Sequence, residues 1–412
     1  MLIAKKLPRL SFVLAALAAA PAYATNGLNQ ENYGSKAGGM GGASAAYDSR
    51  NSALMNNPAT LTLRPEGWDI GVGFSVLNPD VNAQLGGAGG PSFHSSGETY
   101  VMPSLSLIRK DGAFAYGFGI SAQGGMGAEY DGAFTAALTG GALNLPQRSE
   151  LGFLRVMLPL AYEVNDALSI AAQIDYGRVS LDMQMLDPAS MSYIDVSDDS
   201  RFNGKMSGTG WGFNLGIHYK VNKDFALGAA YHSKTSISDL TGSGTINMSV
   251  PADFRVVDMQ WPETYTIGMA WDINEQWMIA ADIKQIMWST TMQNFNFGVE
   301  GNIQSMPMNW SDQTVYMLGT QYKITPTIAL RAGFNYGKNP VPADTLNYLF
   351  PAITETHYTL GLGWDLGGGH TLSGSMMYAP SVEQTGTGIM NSGLTMSHSQ
   401  FGWGMNYNYS FK

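Results

Sequence analysis

The 412-residue chain contains no cysteine, which argues against a disulfide scaffold. Charge is scarce as well. Asp, Glu, Lys and Arg make up 13% of the residues, about half the share usual in a soluble domain. Basic residues are the rarer kind, 22 against 32 acidic, for a net charge of −10. A basic face able to hold phosphates is therefore not available, which disfavours a nucleic-acid partner. The six histidines (His94, His218, His232, His357, His370 and His398) are scattered without metal-ligand spacing, and no G-x-S-x-G elbow is present. Neither a catalytic residue nor a metal or cofactor site stands out. After the first 24 residues, no apolar run reaches the length of a membrane-spanning helix.

Those first residues read as an export leader. Lys5, Lys6 and Arg9 form a positive start, Leu10 to Ala20 is apolar, and Ala22-Tyr23-Ala24 supplies a small-x-small cleavage site. The expected organisation is a signal peptide over 1–24, with the mature chain starting at Thr25. Loss of the three leader cations takes the net charge from −10 to −13.

What the chain does have is glycine, 50 residues, and aromatics, with 20 Tyr and 9 Trp, at a mean hydropathy near zero. Such a balance suits a sheet with lipid on one side and water or polar filling on the other. Period-two alternation supports this. Trp211, Phe213, Leu215, Ile217 and Tyr219 alternate with Gly212, Asn214, Gly216 and His218. Tyr358, Leu360, Leu362 and Trp364 alternate with Thr359, Gly361, Gly363 and Asp365, and Phe401 to Phe411 repeats the pattern. Trp271, Trp277, Trp288 and Tyr409 near segment ends suggest interfacial girdles.

About fourteen strands can be placed: 67–77, 99–109, 113–122, 151–163, 168–182, 206–220, 224–236, 262–271, 276–288, 312–322, 327–337, 356–366, 370–380 and 398–411. Short turns such as Asn165-Asp166 and Gly367-Gly368-Gly369 alternate with long loops near 78–98, 123–150, 183–205, 237–261, 289–311, 338–355 and 381–397. That regularity predicts an all-β fold, a transmembrane antiparallel β-barrel over 67–412, in a bacterial outer membrane. Pro103 and Pro159 fall inside two strands, where a missing N–H implies bulges or shifted boundaries.

Residues 25–66 show no alternation and are rich in small residues. They read either as a disordered tail or as a compact N-terminal hatch plugging the lumen, since an open barrel of this size would be a water pore. The run Gly39-Met40-Gly41-Gly42-Ala43-Ser44-Ala45-Ala46-Tyr47-Asp48, leading into Asn57-Pro58-Ala59, resembles the hatch of FadL-type fatty-acid and hydrocarbon transporters. Further matches follow in order, among them Gly117 to Ile120, Gly127 to Tyr130, Trp211 to Gly216, Trp261 to Thr264, Trp277 to Ser289 and Arg331 to Phe334. The likeness covers nearly all of 26–412.

The resemblance implies a hatch-plugged fourteen-strand barrel, acting as a monomer. It also implies capture of a hydrophobic small molecule by outer loops, passage beside the hatch, and exit through the wall where the third strand is kinked. Gly124 and Gly125 lie where that kink would fall. Phe134, Leu138, Leu143 and Leu145, and Leu346, Leu349 and Phe350, are apolar residues in two long loops and candidates for capture. Residues 133–138 could form a short helix. Arg148, Lys205, Arg331 and Lys338 could meet a fatty carboxylate. Expected partners are outer-membrane lipid, lipopolysaccharide and the barrel-assembly machinery. A general aqueous porin, an outer-membrane enzyme and an adhesin barrel are the rival classes.

Overall fold

A computed structural model describes residues 26–187, 190–198 and 204–412. The expected leader lies outside the described residues. Fourteen long strands form the wall. They are Gly67–Gln84, Tyr100–Asp111, Phe114–Tyr130, Gln147–Glu163, Leu168–Leu186, Met206–Lys220 and Phe225–His232 in the first half. Thr264–Asp272, Trp277–Ile286, Gln313–Lys323, Ile328–Gly337, Thr356–Gly367, His370–Thr385 and Thr395–Phe411 complete it. Each pairs antiparallel with the next, and the last closes on the first, from Trp68 opposite Phe411 to Gln84 opposite Thr395. Closure removes the open edges that an unpaired backbone could not keep in lipid.

Seven shorter strands extend the loops at the far end: Ser92–His94, Tyr193–Val196, Ser236–Ile237, Leu240–Ile246, Val250–Val257, Asn294–Val299 and Asn302–Pro307. A longer closed path, of 16 strands, passes through Tyr193–Val196 and Leu240–Ile246, which bridge the fifth and sixth wall strands beyond their direct pairing. The expected all-β barrel is therefore present, with fourteen spanning strands and an outer collar of short hairpins.

Alternation sorts the wall residues as lipid requires. Trp211, Phe213, Leu215 and Ile217 are exposed on the outer face, while Asn214, Gly216 and His218 between them are buried. Leu360 is 64% exposed although its neighbour Thr359 is buried. Among the described residues no helix is long and apolar enough to cross a membrane. The outward apolar band is much larger than a soluble monomer tolerates. Trp271 and Trp277 are exposed on it and Tyr409 is half-buried. Trp288 corrects the girdle expectation, because it is completely buried inside the barrel. It follows the end of its strand at Ile286, in the one-turn helix Trp288–Thr290, where alternation no longer fixes its side.

The two prolines also differ from expectation. Pro159 causes no bulge: pairing with the third wall strand lapses between Tyr116–Leu160 and Gly119–Met157 and resumes in the same register. Pro103 keeps its pairing with Phe74 on the first strand. On its other side, pairing with the third strand stops at Ser104–Ser121.

Candidate functional site

Residues 26–66 lie within the ring and are mostly buried. They form short helices at Ser35–Gly38, Arg50–Ser52, Ala53–Asn56 and Pro58–Leu63, with irregular backbone between. Irregular backbone inside a barrel leaves many N–H and C=O groups to satisfy, and inward side chains of the wall do this. Asp282 accepts from the Ser44 and Ala45 amides at 2.7 and 2.9 Å. Asn406 accepts from the Ser35 amide, and Thr359 from that of Gly41. Gln173 donates to the Leu54 carbonyl, and His218 Nε2 to that of Ala46. Arg331, the expected lumenal cation, instead donates to Gln321 on the neighbouring strand at 2.8 Å.

The wall also makes room. A Cβ on Gly228 would lie 1.9 Å from the Ala45 carbonyl oxygen, and one on Gly333 would lie 2.1 Å from the Gly41 nitrogen. On Gly319 it would lie 2.4 Å from the Met40 oxygen, and on Gly361 2.8 Å from the Gly39 Cα. These inward glycines form a belt against which the glycine-rich stretch 38–42 is seated. Asn57 ties the hatch down nearby. Its amide donates to the Ala45 and Ile217 carbonyls at 2.7 and 2.9 Å, and its oxygen caps Ala59. Pro58 opens the capped helix, where its missing N–H costs nothing. Asn57 thus joins the inner segment to the wall, and Pro58 and Ala59 follow it in the capped turn. Nearer the short turns, Leu54 and Leu61 pack with Ile108 and Met157. There Arg64 pairs with Asp69 of the first strand at 2.6 Å.

The third wall strand runs unbroken from Phe114 to Tyr130 but carries an irregularity just before Gly124 and Gly125. Register shifts between Ala122 and Gly124, leaving Gln123 as an extra residue. Beyond Ser121 the strand has left its second-strand neighbour, so the wall is open on that side until Glu129, which meets Ser95 and Ser96. The hatch takes the vacant pairing. The Gly125 amide donates to the Leu28 carbonyl at 2.9 Å, the Gln30 amide donates to the Gln123 carbonyl at 3.2 Å, and Asn29 bridges Gly124. Gly124 is required by this approach, because a Cβ there would lie 1.9 Å from the Leu28 oxygen.

Sequence reasoning missed two features beside this break. Arg155 is buried, pairs with Asp175 at 2.6 Å, and donates to Gln123 and Thr235. An inward charge in an alternating strand was its available signal. The second is a line of aromatic rings. Trp310, Trp288, Trp261 and Phe153 follow one another at centroid spacings of 5.4, 6.2 and 4.7 Å, all fully buried. Trp261 Nε1 donates to Asn29 Oδ1 of the hatch at 2.8 Å. Phe153 stands opposite Gly124.

The loop candidates are brought together, but not as an open groove. Phe134, in the helix Gly132–Leu138, is fully buried between Tyr130 and Tyr348, with centroids at 4.6 and 4.7 Å. Leu346, Leu349 and Phe350 are buried, Phe350 against Phe295 at 5.2 Å. Leu143 and Leu145 are half-buried, and only Leu138 of the seven is exposed. The two loops pack on each other because their apolar residues are worth more in contact than in water. Of the cations, Arg148 pairs with Glu150, whereas Lys205 and Lys338 are exposed. Between hatch and wall lies a polar cavity of about 20 Å³, lined by Asn29, Tyr33, Gln123, His232, Asp282 and Lys284 among others. It has room for a water and none for an acyl chain. Among the described residues, no group of three His, Asp or Glu could hold a metal.

Comparison with known proteins agrees with this geometry. Residues 11–411 match the family model described as outer membrane protein transport protein (OMPP1/FadL/TodX). The chain is 23% identical to a long-chain fatty acid transport protein of Escherichia coli O6:H1 over 403 residues, covering 87% of this chain and 88% of that one. A stretch of 76 residues is 50% identical to an uncharacterized protein of Chlorobium limicola, 18% of this chain and 37% of that one. The crystal structure of the Pseudomonas putida toluene transporter TodX superposes with a TM-score of 0.80 at 28% identity, covering 92% of this chain and 99% of that one. The chain therefore belongs to the OMPP1/FadL/TodX family of outer-membrane β-barrels that transport hydrophobic compounds.

Proposed function

We propose that the chain carries long-chain fatty acids or hydrocarbons passively across the outer membrane. Residues 25–66 act as the hatch and 67–412 as the channel wall. The compound is taken up at the outer loops around Phe134, Leu138 and Phe350, passes the aromatic line beside the hatch, and leaves sideways between the second and third wall strands. The observation that carries this reading is the wall itself. Among the described residues, apart from the short lapse at Pro159, its one stretch without a strand neighbour lies past Ser104 and Ser121, and there the hatch and not a strand fills the vacancy. A lateral route suits an apolar cargo, which gains nothing by entering water. No energy-coupling motif is needed, since flux follows the gradient.

A filled lumen speaks against a general aqueous porin. The ring leaves no wall strand without two neighbours over its spanning length outside the opening, which supports a monomer working among outer-membrane lipid and lipopolysaccharide after delivery by the barrel-assembly machinery. The test is uptake of radiolabelled oleate, hexadecane and toluene by a deletion strain and its complemented parent. Complementation should restore uptake of at least one hydrophobic compound and leave small sugars unaffected. Restored sugar permeability with no gain for the hydrophobic compounds would favour the porin.

A further inference from the structure

The aromatic line carries hydrogen-bond donors that the protein does not use. Trp288 and Trp310 are fully buried, and neither indole Nε1 has a partner. Trp261, between them and the wall opening, does have one in Asn29. Buried N–H groups are nearly always satisfied in native proteins, so two neighbouring exceptions call for an explanation, of which a bound molecule is one. A second observation lies alongside. Asn26, at the start of the turn that pairs with Asn29, is 1% exposed, and both polar atoms of its side-chain amide are unpartnered. The next residue, Gly27, lies directly under the Trp288 ring, where a Cβ would come within 2.6 Å.

The charges nearby point to the kind of ligand. Arg155, beside Phe153, is matched by Asp175, and Arg148 by Glu150. Lys284 lies over the Tyr33 ring, two residues from the Asp282 carboxylate on its own strand. A carboxylate at the tryptophans would thus meet neutral donors and already-compensated cations. A neutral ring carrying one acceptor oxygen would stack on the indoles and satisfy donors that are otherwise unmet.

We propose that Trp288 and Trp310, with Asn26, form a selectivity site for neutral aromatic compounds bearing a hydrogen-bond acceptor, such as an aryl ketone or ether. This rests on the reading of the barrel as a channel for hydrophobic compounds and names the class it favours. Hydrocarbons of the same shape pass the site with weaker binding, because they leave the indole donors unpaired.

The test compares acetophenone, ethylbenzene and benzoate, which share a ring and differ in the acceptor and its charge. Binding to the full chain in detergent is measured by calorimetry, and uptake is followed in complemented cells. Acetophenone should bind roughly fivefold more tightly than ethylbenzene for each net neutral hydrogen bond gained, with benzoate the weakest. Trp288→Phe combined with Trp310→Phe keeps the rings and removes the donors. It should abolish the preference, so that acetophenone and ethylbenzene bind the variant equally. Heat-modifiable mobility on gels checks that the variant barrel is folded. Equal binding of acetophenone and ethylbenzene by the native chain, preference for benzoate, or selectivity that survives the double substitution would each overturn the tryptophan assignment alone. Uptake of none of the compounds, or of oleate or hexadecane, would overturn the channel reading and this assignment with it.

Discussion

Replacing Gly124 by alanine should loosen the hatch at the wall opening without disturbing the barrel. The new Cβ would lie 1.9 Å from the Leu28 oxygen and 3.0 Å from the Trp261 ring. The obstacle on one side is backbone, which cannot swing away as a side chain would. The turn at Leu28 must therefore retreat, and the two hydrogen bonds Gly125–Leu28 and Gln30–Gln123 go with it. At roughly 0.5–1.5 kcal/mol each, their loss amounts to about 1–3 kcal/mol of local stability. Amide exchange at Gly125 and Gln30 should accelerate by roughly 5- to 150-fold, with 1.4 kcal/mol per factor of ten. Exchange on the far wall, for example at Tyr358, should not change. Hydrogen exchange read by mass spectrometry on the detergent-solubilised chain measures both, and uptake of the hydrophobic panel should fall in parallel. Unchanged exchange at Gly125 and Gln30 with native uptake would refute the claim that the hatch is held at this bulge.

Three further outcomes are expected. Gly333→Val places side-chain atoms where the Gly41 backbone runs, so the hatch should fail to seat and planar-bilayer recordings should show a steady ion conductance absent from the native barrel. Arg64→Ala removes the nearest cation from the buried Asp69 carboxylate but leaves it Arg50 at 3.9 Å and the donors of Asn408 and Ser410, so urea unfolding should show a loss of about 1.5–3 kcal/mol, the worth of one charged hydrogen bond. Burial pushes the Lys36 amine of the hatch down from 10.5 to about 7. Between those values the unfolded chain holds a proton that the folded hatch has released, so stability should rise with pH from about 7 toward 10.5 and be level below 7. Lys36→Met should remove that slope in denaturation curves taken across this range.

The strands were legible because lipid on one side and a polar filling on the other enforce a period of two. The predicted 206–220 coincides with Met206–Lys220, and 356–366 differs from Thr356–Gly367 by one residue. Strand ends at the loop side were read too short, as at 113–122 against Phe114–Tyr130. From Ala122 to Ala128 every residue is buried, so a strand that has lost its second-strand neighbour and has protein on both faces loses its alternation. Trp288 was misplaced for a related reason, lying just past the last residue whose side the pattern could fix. The loop residues were recognised as unusual, but the packing of Phe134 on Tyr348 joins segments more than two hundred residues apart. No local pattern encodes such a contact.

The inward face explains why a barrel sequence of this kind is so rich in glycine, asparagine and threonine. Inward glycines leave space so that a folded segment can fit, and inward polar residues carry groups that its irregular backbone needs. Hatch and wall therefore constrain each other residue by residue: Gly228 requires the path taken by Ala45, and Asp282 requires its amide. Among the described residues, backbone pairs with backbone across this boundary only at the bulge, where Leu28 and Gln30 meet Gly125 and Gln123. There the third strand has given up its neighbour and accepted the hatch in its place. Elsewhere the wall is held by strand pairing in which the hatch backbone takes no part. At the bulge the two cannot be separated without opening the side of the barrel, which is the reason the proposed exit is placed there.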